Sequence, residues 1–210
     1  MKKLSSITEG AIMIALAVIL SMFPLHQMPL GGDVTFAACL PICVYAYRRG
    51  AKNGFLAAFV YSLIQLLLGL KNLTYATGFV SGAAIVLFDY IVAYTLFGVV
   101  AYFGKFKICK NERISNALTL SLGTLTASVL RFLCHLVSGA VVWYGLTKEW
   151  YADDPGHIVF SLSEWAYSFV YNISYMLPET IVTVIAAFIL ATALNFKEPN
   201  LRYTSLRTEK

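Results

Sequence analysis

The chain reads as an all-α integral membrane protein, a bundle of six transmembrane helices with both termini in the cytoplasm. Three observations predict this. Of its 210 residues, 59% are hydrophobic and 13% charged, with a mean hydropathy of +0.70, more than the core of a water-soluble domain this size requires. Windows of about 20 apolar residues, enough to cross about 30 Å of hydrocarbon, recur along the whole chain. Lys and Arg gather at the N-terminus and after every second window.

The first window, 7–23, follows Lys2 and Lys3. No A-x-A-like cleavage site comes before Pro24, so it is expected to be a retained helix and not a signal peptide. Ala11 and Ala15, with Gly10 and Ala17 nearby, give it a small-xxx-small surface on which another helix, internal or from a partner subunit, can approach closely. The stretch PLHQMPLGGDV then supplies two prolines and a Gly-Gly pair, a loop with hinge potential that could cover an outward-facing pocket.

The second window, 34–47, is short. The third and fourth span 54–70 and 77–103, and the fifth and sixth, 116–146 and 163–196, are long. Cations collect at Lys2/Lys3, Arg48/Arg49/Lys52, Lys105/Lys107/Lys110/Arg113 and Lys197/Arg202/Arg207/Lys210, which puts all four clusters on one side. Asp33, Glu149, Asp153, Asp154 and Glu164 lie opposite. Topology thereby explains the sequence pI near 9.0, and no nucleic-acid partner is needed to account for it. Residues 1–210 form a single transmembrane domain, with no inverted repeat and no separate soluble module.

Enzymatic chemistry has little support. No G-x-x-x-x-G-K-[ST], H-E-x-x-H or G-x-S-x-G motif occurs, so neither a cofactor nor a metal is expected. Cys39, Cys43, Cys109 and Cys134 lack metal-ligand spacing and read as reduced, buried bystanders.

Ionisable and strongly polar side chains at depth each cost about 2.5–3.5 kcal/mol on insertion scales, so each marks a site or a structural pair. They are Asp89 in the fourth window, Arg131 and His135 in the fifth, and Asn172 and Glu179 in the sixth. Asp89, next to Tyr90, either neutralises Arg131 or faces a cavity and meets a cationic or hydrogen-bonding ligand. Arg131, His135, Gly139 and Trp143 recur every four residues and share a helix face. A ligand could slot against bare Gly139 between His135 and Trp143, although Trp143 alone would also suit the interfacial belt. Tyr167, Tyr171 and Tyr175 form an i, i+4 ladder beside Asn172. Pro178 should kink the sixth helix, and Glu179 behind it suits a structural role.

The bundle resembles the thiamine-specific substrate-binding subunit, or S component, of energy-coupling-factor vitamin transporters. The resemblance rests on Ala11 and Ala15, LPICVYAYRRG, LFDY, LRFLCHLVSGAVVW and AYSFVYNISYMLPE, and covers essentially the whole chain. It implies substrate contacts from Asp89, Tyr90, His135, Gly139, Trp143, Tyr167 and Asn172, with aromatic rings stacking on flat heterocycles and the carboxylate facing a thiazolium cation. It further implies capture from outside, closure of the first loop, and work with a coupling subunit that meets Ala11 and Ala15 and with two ATPases. Some members of the family carry a tryptophan and a glutamate where this chain has Gly32 and Phe36, and Asp33 is a conceivable substitute charge. A B6 vitamer or hydroxymethylpyrimidine therefore stands as an alternative guest. A stand-alone proton-coupled carrier is the alternative mechanism.

Overall fold

The computed structural model describes residues 2–29, 31–195 and 202–203. Leu30, the predicted end of the sixth helix at Phe196, and the cations Lys197, Arg207 and Lys210 lie outside the described residues. The chain runs as α1 Lys2–Ser21, a hairpin of β1 His26–Gln27 and β2 Asp33–Val34, α2 Leu40–Arg49, α3 Ala51–Leu68, α4 Phe79–Phe103, α5 Glu112–Trp150 and α6 Glu164–Ala193. A short antiparallel pair, β3 Leu194–Asn195 with β4 Arg202–Tyr203, follows.

Among the described residues four helices, α3 to α6, are long and apolar enough to cross a membrane, and the apolar part of α1 over Ser5–Ser21 is shorter. The protein is a multi-pass membrane protein, and its outer surface suits lipid. Ile12, Leu67, Val141 and Ile189 are all about 60% exposed, a pattern that water would penalise and hydrocarbon does not. The expectation of a second helix from residue 34 is corrected. Asp33 and Val34 pair with Gln27 and His26 as a strand, and α2 begins only at Leu40, with Pro41 in its first turn, where its missing N–H costs nothing. Gly50, at φ 79°, ends α2 and turns the chain directly into α3.

Local chemistry fixes the other helix starts. Asn111 caps α5 by accepting from the N–H groups of Arg113 and Ile114 at 3.1 and 3.2 Å, and Ser163 caps α6 through Ala166 N–H. Two of the long helices contain a wider π turn, Ile85–Ile91 in α4 and Gly139–Trp143 in α5. Helix α6 continues unbroken through Pro178.

Small residues let the rods approach one another: Ala17, Ala46, Ala58, Ala101, Ala117, Ala127 and Ala187 are buried together around Ile42, Phe97 and Leu120. At Gly98 a Cβ would meet the Phe55 ring at 2.6 Å, so the α3–α4 contact is set by the absence of a side chain. At one end of the bundle Glu9 pairs with Arg48 at 2.7 Å and with Arg49. There Tyr47 donates to Asn116 Oδ1 at 3.1 Å and lies 2.8 Å from Thr119 Oγ1. These bonds bring the end of α2, with Arg48 and Arg49, against the first half of α1 and the start of α5. The opposite end is hollow.

A candidate ligand cavity between the hairpin and helices α3 to α6

The hollow has a volume of about 450 Å³, within the range of small-molecule sites. All seven residues singled out in the sequence line it: Asp89 and Tyr90 from α4, His135, Gly139 and Trp143 from α5, and Tyr167 and Asn172 from α6. The hairpin closes over part of it with Gln27, Gly31, Gly32 and Asp33.

Asp89 is buried yet well held. Trp143 Nε1–H donates to its Oδ2 at 2.9 Å, and His135 Nδ1 stands 3.4 Å from its Oδ1. The alternative pairing of Asp89 with Arg131 does not form. Arg131 instead donates through Nη1 to Glu179 Oε2 at 2.7 Å and lies 4.8 Å from the centre of the Tyr94 ring. Glu179 has the structural role expected of it, since its other oxygen accepts from Thr35 at 2.6 Å. Because Arg131 is paired with Glu179, Asp89 is left facing the hollow. His135 Nε2 is buried and has no hydrogen-bond partner among the described residues.

Gly139 lines the hollow and at the same time lies against α6. A Cβ there would collide with Ser168 Oγ and sit 3.0 Å from Asn172 Nδ2, so the glycine allows α5 and α6 to close on each other. Asn172 ties that seam. Its amide donates to Ser168 O at 2.9 Å and His135 O at 3.3 Å, and its carbonyl accepts from Tyr175 at 2.8 Å. Tyr90 is similarly placed, accepting from Asn72 Nδ2 at 2.8 Å and donating to Gly69 O at 3.2 Å.

The aromatic lining is wider than the sequence motifs indicate. Tyr75 packs edge-on against Trp143 and Trp150, with centroids 6.0 and 4.9 Å away, and Tyr167 lies between Tyr144 and Tyr171. Gln65, Lys71, Asn72, Tyr75 and Trp150 also line the cavity. Lys71, Asn72 and Tyr75 sit in the turn Leu70–Tyr75, between apolar windows, where hydrophobic periodicity carries no signal. Asp33, half-buried in the hairpin, has its carboxyl pushed up by desolvation first and by the Glu179 charge second, against smaller opposing effects of Lys71 and Arg131.

The candidate interface alanines Ala11 and Ala15 are exposed, whereas Ala17 and Gly10 are buried. The four cysteines are free. Cys39 starts α2 and lines the cavity.

Apolar spans arranged around a polar-lined hollow are the build of a membrane transporter. Residues 7–198 match the family described as thiamine transporter protein, and the chain belongs to that family. Among its relatives is the thiamine transporter ThiT of Bacillus subtilis (strain 168), 29% identical over 194 residues that cover 90% of this chain and 91% of the relative. Another is ThiT of Lacticaseibacillus paracasei, 26% identical over 195 residues, 91% of this chain and 89% of the relative. A solved structure of ThiT from Listeria monocytogenes has a similar fold, with a TM-score of 0.67 at 21% identity, covering 91% of this chain and 95% of that one.

Proposed function

We propose that this chain is the thiamine-capturing subunit, the S component, of an energy-coupling-factor importer. The observation that carries this is the Asp89 carboxylate, buried in the wall of the hollow and held by Trp143 and His135. The hollow is lined by three carboxylates, Asp33, Asp89 and Glu179, against two cations, Lys71 and Arg131. Three minus two leaves one negative charge with His135 neutral, which suits the single positive charge of a thiazolium ring. Tyr75, Trp143 and Tyr167 offer faces and edges for stacking, at about 0.5–2 kcal/mol per cation–π contact. His135, in the lining, brings an imidazole whose Nε2 has no partner among the described residues.

In this proposal α1 and α2 are the two further spans of a six-span bundle, and the end holding Glu9, Arg48 and Arg49 is cytoplasmic by its cations. The cavity then opens outward, the hairpin closes over the captured guest, and the exposed Ala11 and Ala15 face meets the coupling subunit. Two ATPases supply the energy, and this chain hydrolyses nothing. Calorimetry of the detergent-purified protein against thiamine, pyridoxine and hydroxymethylpyrimidine tests the ligand. Thiamine is expected to bind most tightly, and a preference for pyridoxine or the pyrimidine would replace it. Uptake by the chain alone in liposomes, driven by a pH gradient without ATPases, would overturn the coupled mechanism.

A further inference from the structure

The hairpin touches α6 at three places that recur every four residues. Tyr171 donates its hydroxyl to Gly31 O at 3.0 Å. Gly32, at φ +97°, lies so close to Tyr175 that a Cβ would meet the ring at 2.7 Å. Thr35 donates to Glu179 Oε1 at 2.6 Å. Residues 171, 175 and 179 fall on one stripe of a helix, so the hairpin is laid along α6 like a strap. The last fastening is the strongest, because its acceptor is a buried carboxylate held from behind by Arg131.

We propose that Thr35 and Glu179 are positioning residues that set how often the hairpin lifts off the cavity, with Tyr171 as the second fastening. Asp89, His135 and Trp143 determine what is held, whereas the strap determines how quickly anything enters or leaves. The Arg131–Glu179 pair, which the ligand-facing acid Asp89 leaves intact, thereby acquires a role at the site through the hairpin. This deepens the proposed function without depending on the identity of the guest. An opening event breaks bonds to α6 and bares the cavity wall, the general behaviour of a lid held by a few contacts.

Cys39 provides the readout. It is buried, lines the cavity and borders the small void beside Arg131 and Glu179. Its alkylation by N-ethylmaleimide, followed by mass spectrometry that separates it from Cys43, Cys109 and Cys134, reports opening with no ligand present. The full chain in detergent is compared with Thr35→Val, Thr35→Ser and Tyr171→Phe. Loss of a hydrogen bond to a charged group in Thr35→Val is expected to speed Cys39 modification about ten-fold or more, Thr35→Ser to restore the parental rate, and Tyr171→Phe to speed it by a smaller factor. Thr35 Oγ1 also accepts from Ala38 N–H at 3.3 Å at the start of α2, which is why the distant Tyr171 variant is included. Unchanged rates in both variants, or acceleration in Thr35→Val alone, would overturn the strap. Saturating thiamine should slow modification of the parent. Absence of that protection counts against thiamine as the guest and leaves the ligand-free comparison standing.

Discussion

Trp143 Nε1–H points at Asp89 Oδ2 across 2.9 Å, joining α5 to the π turn of α4 inside the cavity wall. An indole can only donate, so this bond fixes Oδ2 as the acceptor and orients the carboxyl group in the cavity wall. Asp89→Asn keeps an oxygen for the indole but removes the charge. Thiamine affinity should fall by about ten-fold to a hundred-fold, corresponding to about 1.5–3 kcal/mol for hydrogen bonds and contacts to a charged group. Titration calorimetry measures it, and an unchanged affinity would exclude Asp89 as the counter-charge.

The Arg131–Glu179 pair should behave asymmetrically. Glu179→Ala strands a buried guanidinium and is expected to cost about 3–5 kcal/mol, seen as a large drop in the thermal unfolding midpoint in detergent. The double variant Arg131→Met/Glu179→Met removes both charges and should recover most of that loss. Equal damage in the two proteins would mean that the pair contributes more than charge balance.

Gly139→Ala inserts a methyl where Ser168 Oγ already sits. Helices α5 and α6 must separate or Ser168 must rotate, so the variant should lose about 1–3 kcal/mol of stability, as overpacked cores do. Adding Ser168→Ala should relieve part of it. Thermal unfolding of the single and double variants gives the coupling.

Asp33 supplies a pH dependence with a definite sign. Its carboxyl titrates above its ordinary value because burial and Glu179 penalise the charged form. An acid whose folded-state pKa is raised binds its proton more tightly when folded. Its contribution to stability is therefore fully present below the unfolded value of 3.8 and is lost as pH rises through the folded one. Acidification through that window should stabilise the hairpin region, and Asp33→Asn should flatten the dependence and raise stability at neutral pH. Unfolding midpoints measured from neutral pH down to about 4 would show it. If Asp33 also faces the cation, the same variant binds thiamine more weakly while being more stable, a trade common at binding sites.

Much of the architecture could be read from residues alone, for identifiable reasons. Helices α3 to α6 are long apolar runs, and hydrocarbon length dictates them. The site residues stood out because a polar group in such a run is costly, which is why Asp89, His135 and Asn172 were conspicuous. Cost, however, does not reveal a partner. Asp89 could be assigned to a ligand or, as the lesser reading, to Arg131 until distances placed Glu179 beside the arginine. Gly139 suggested an opening, and only the position of Ser168 showed how closely α6 approaches it. The strand at Asp33–Val34 was hidden because two-residue pairing depends on a partner, His26–Gln27, outside the apolar windows. Asn72 and Tyr75 were invisible for the same reason, being turn residues carried to the cavity by the fold.

The two π turns have a consequence for how this wall can change. Positions four apart on an α-helix drift by about 40°, which would carry Trp143 away from the line through Arg131 and His135. A π turn, bonded i→i+5, rotates less per residue and swings the indole back. Each such turn behaves as one surplus residue stored in the rod. Excising a single amino acid from either would restore ordinary winding while the flanking turns keep their register, so only the side chains that this one turn presents to the hollow would be re-aimed, and the neighbouring packing would stay as it is.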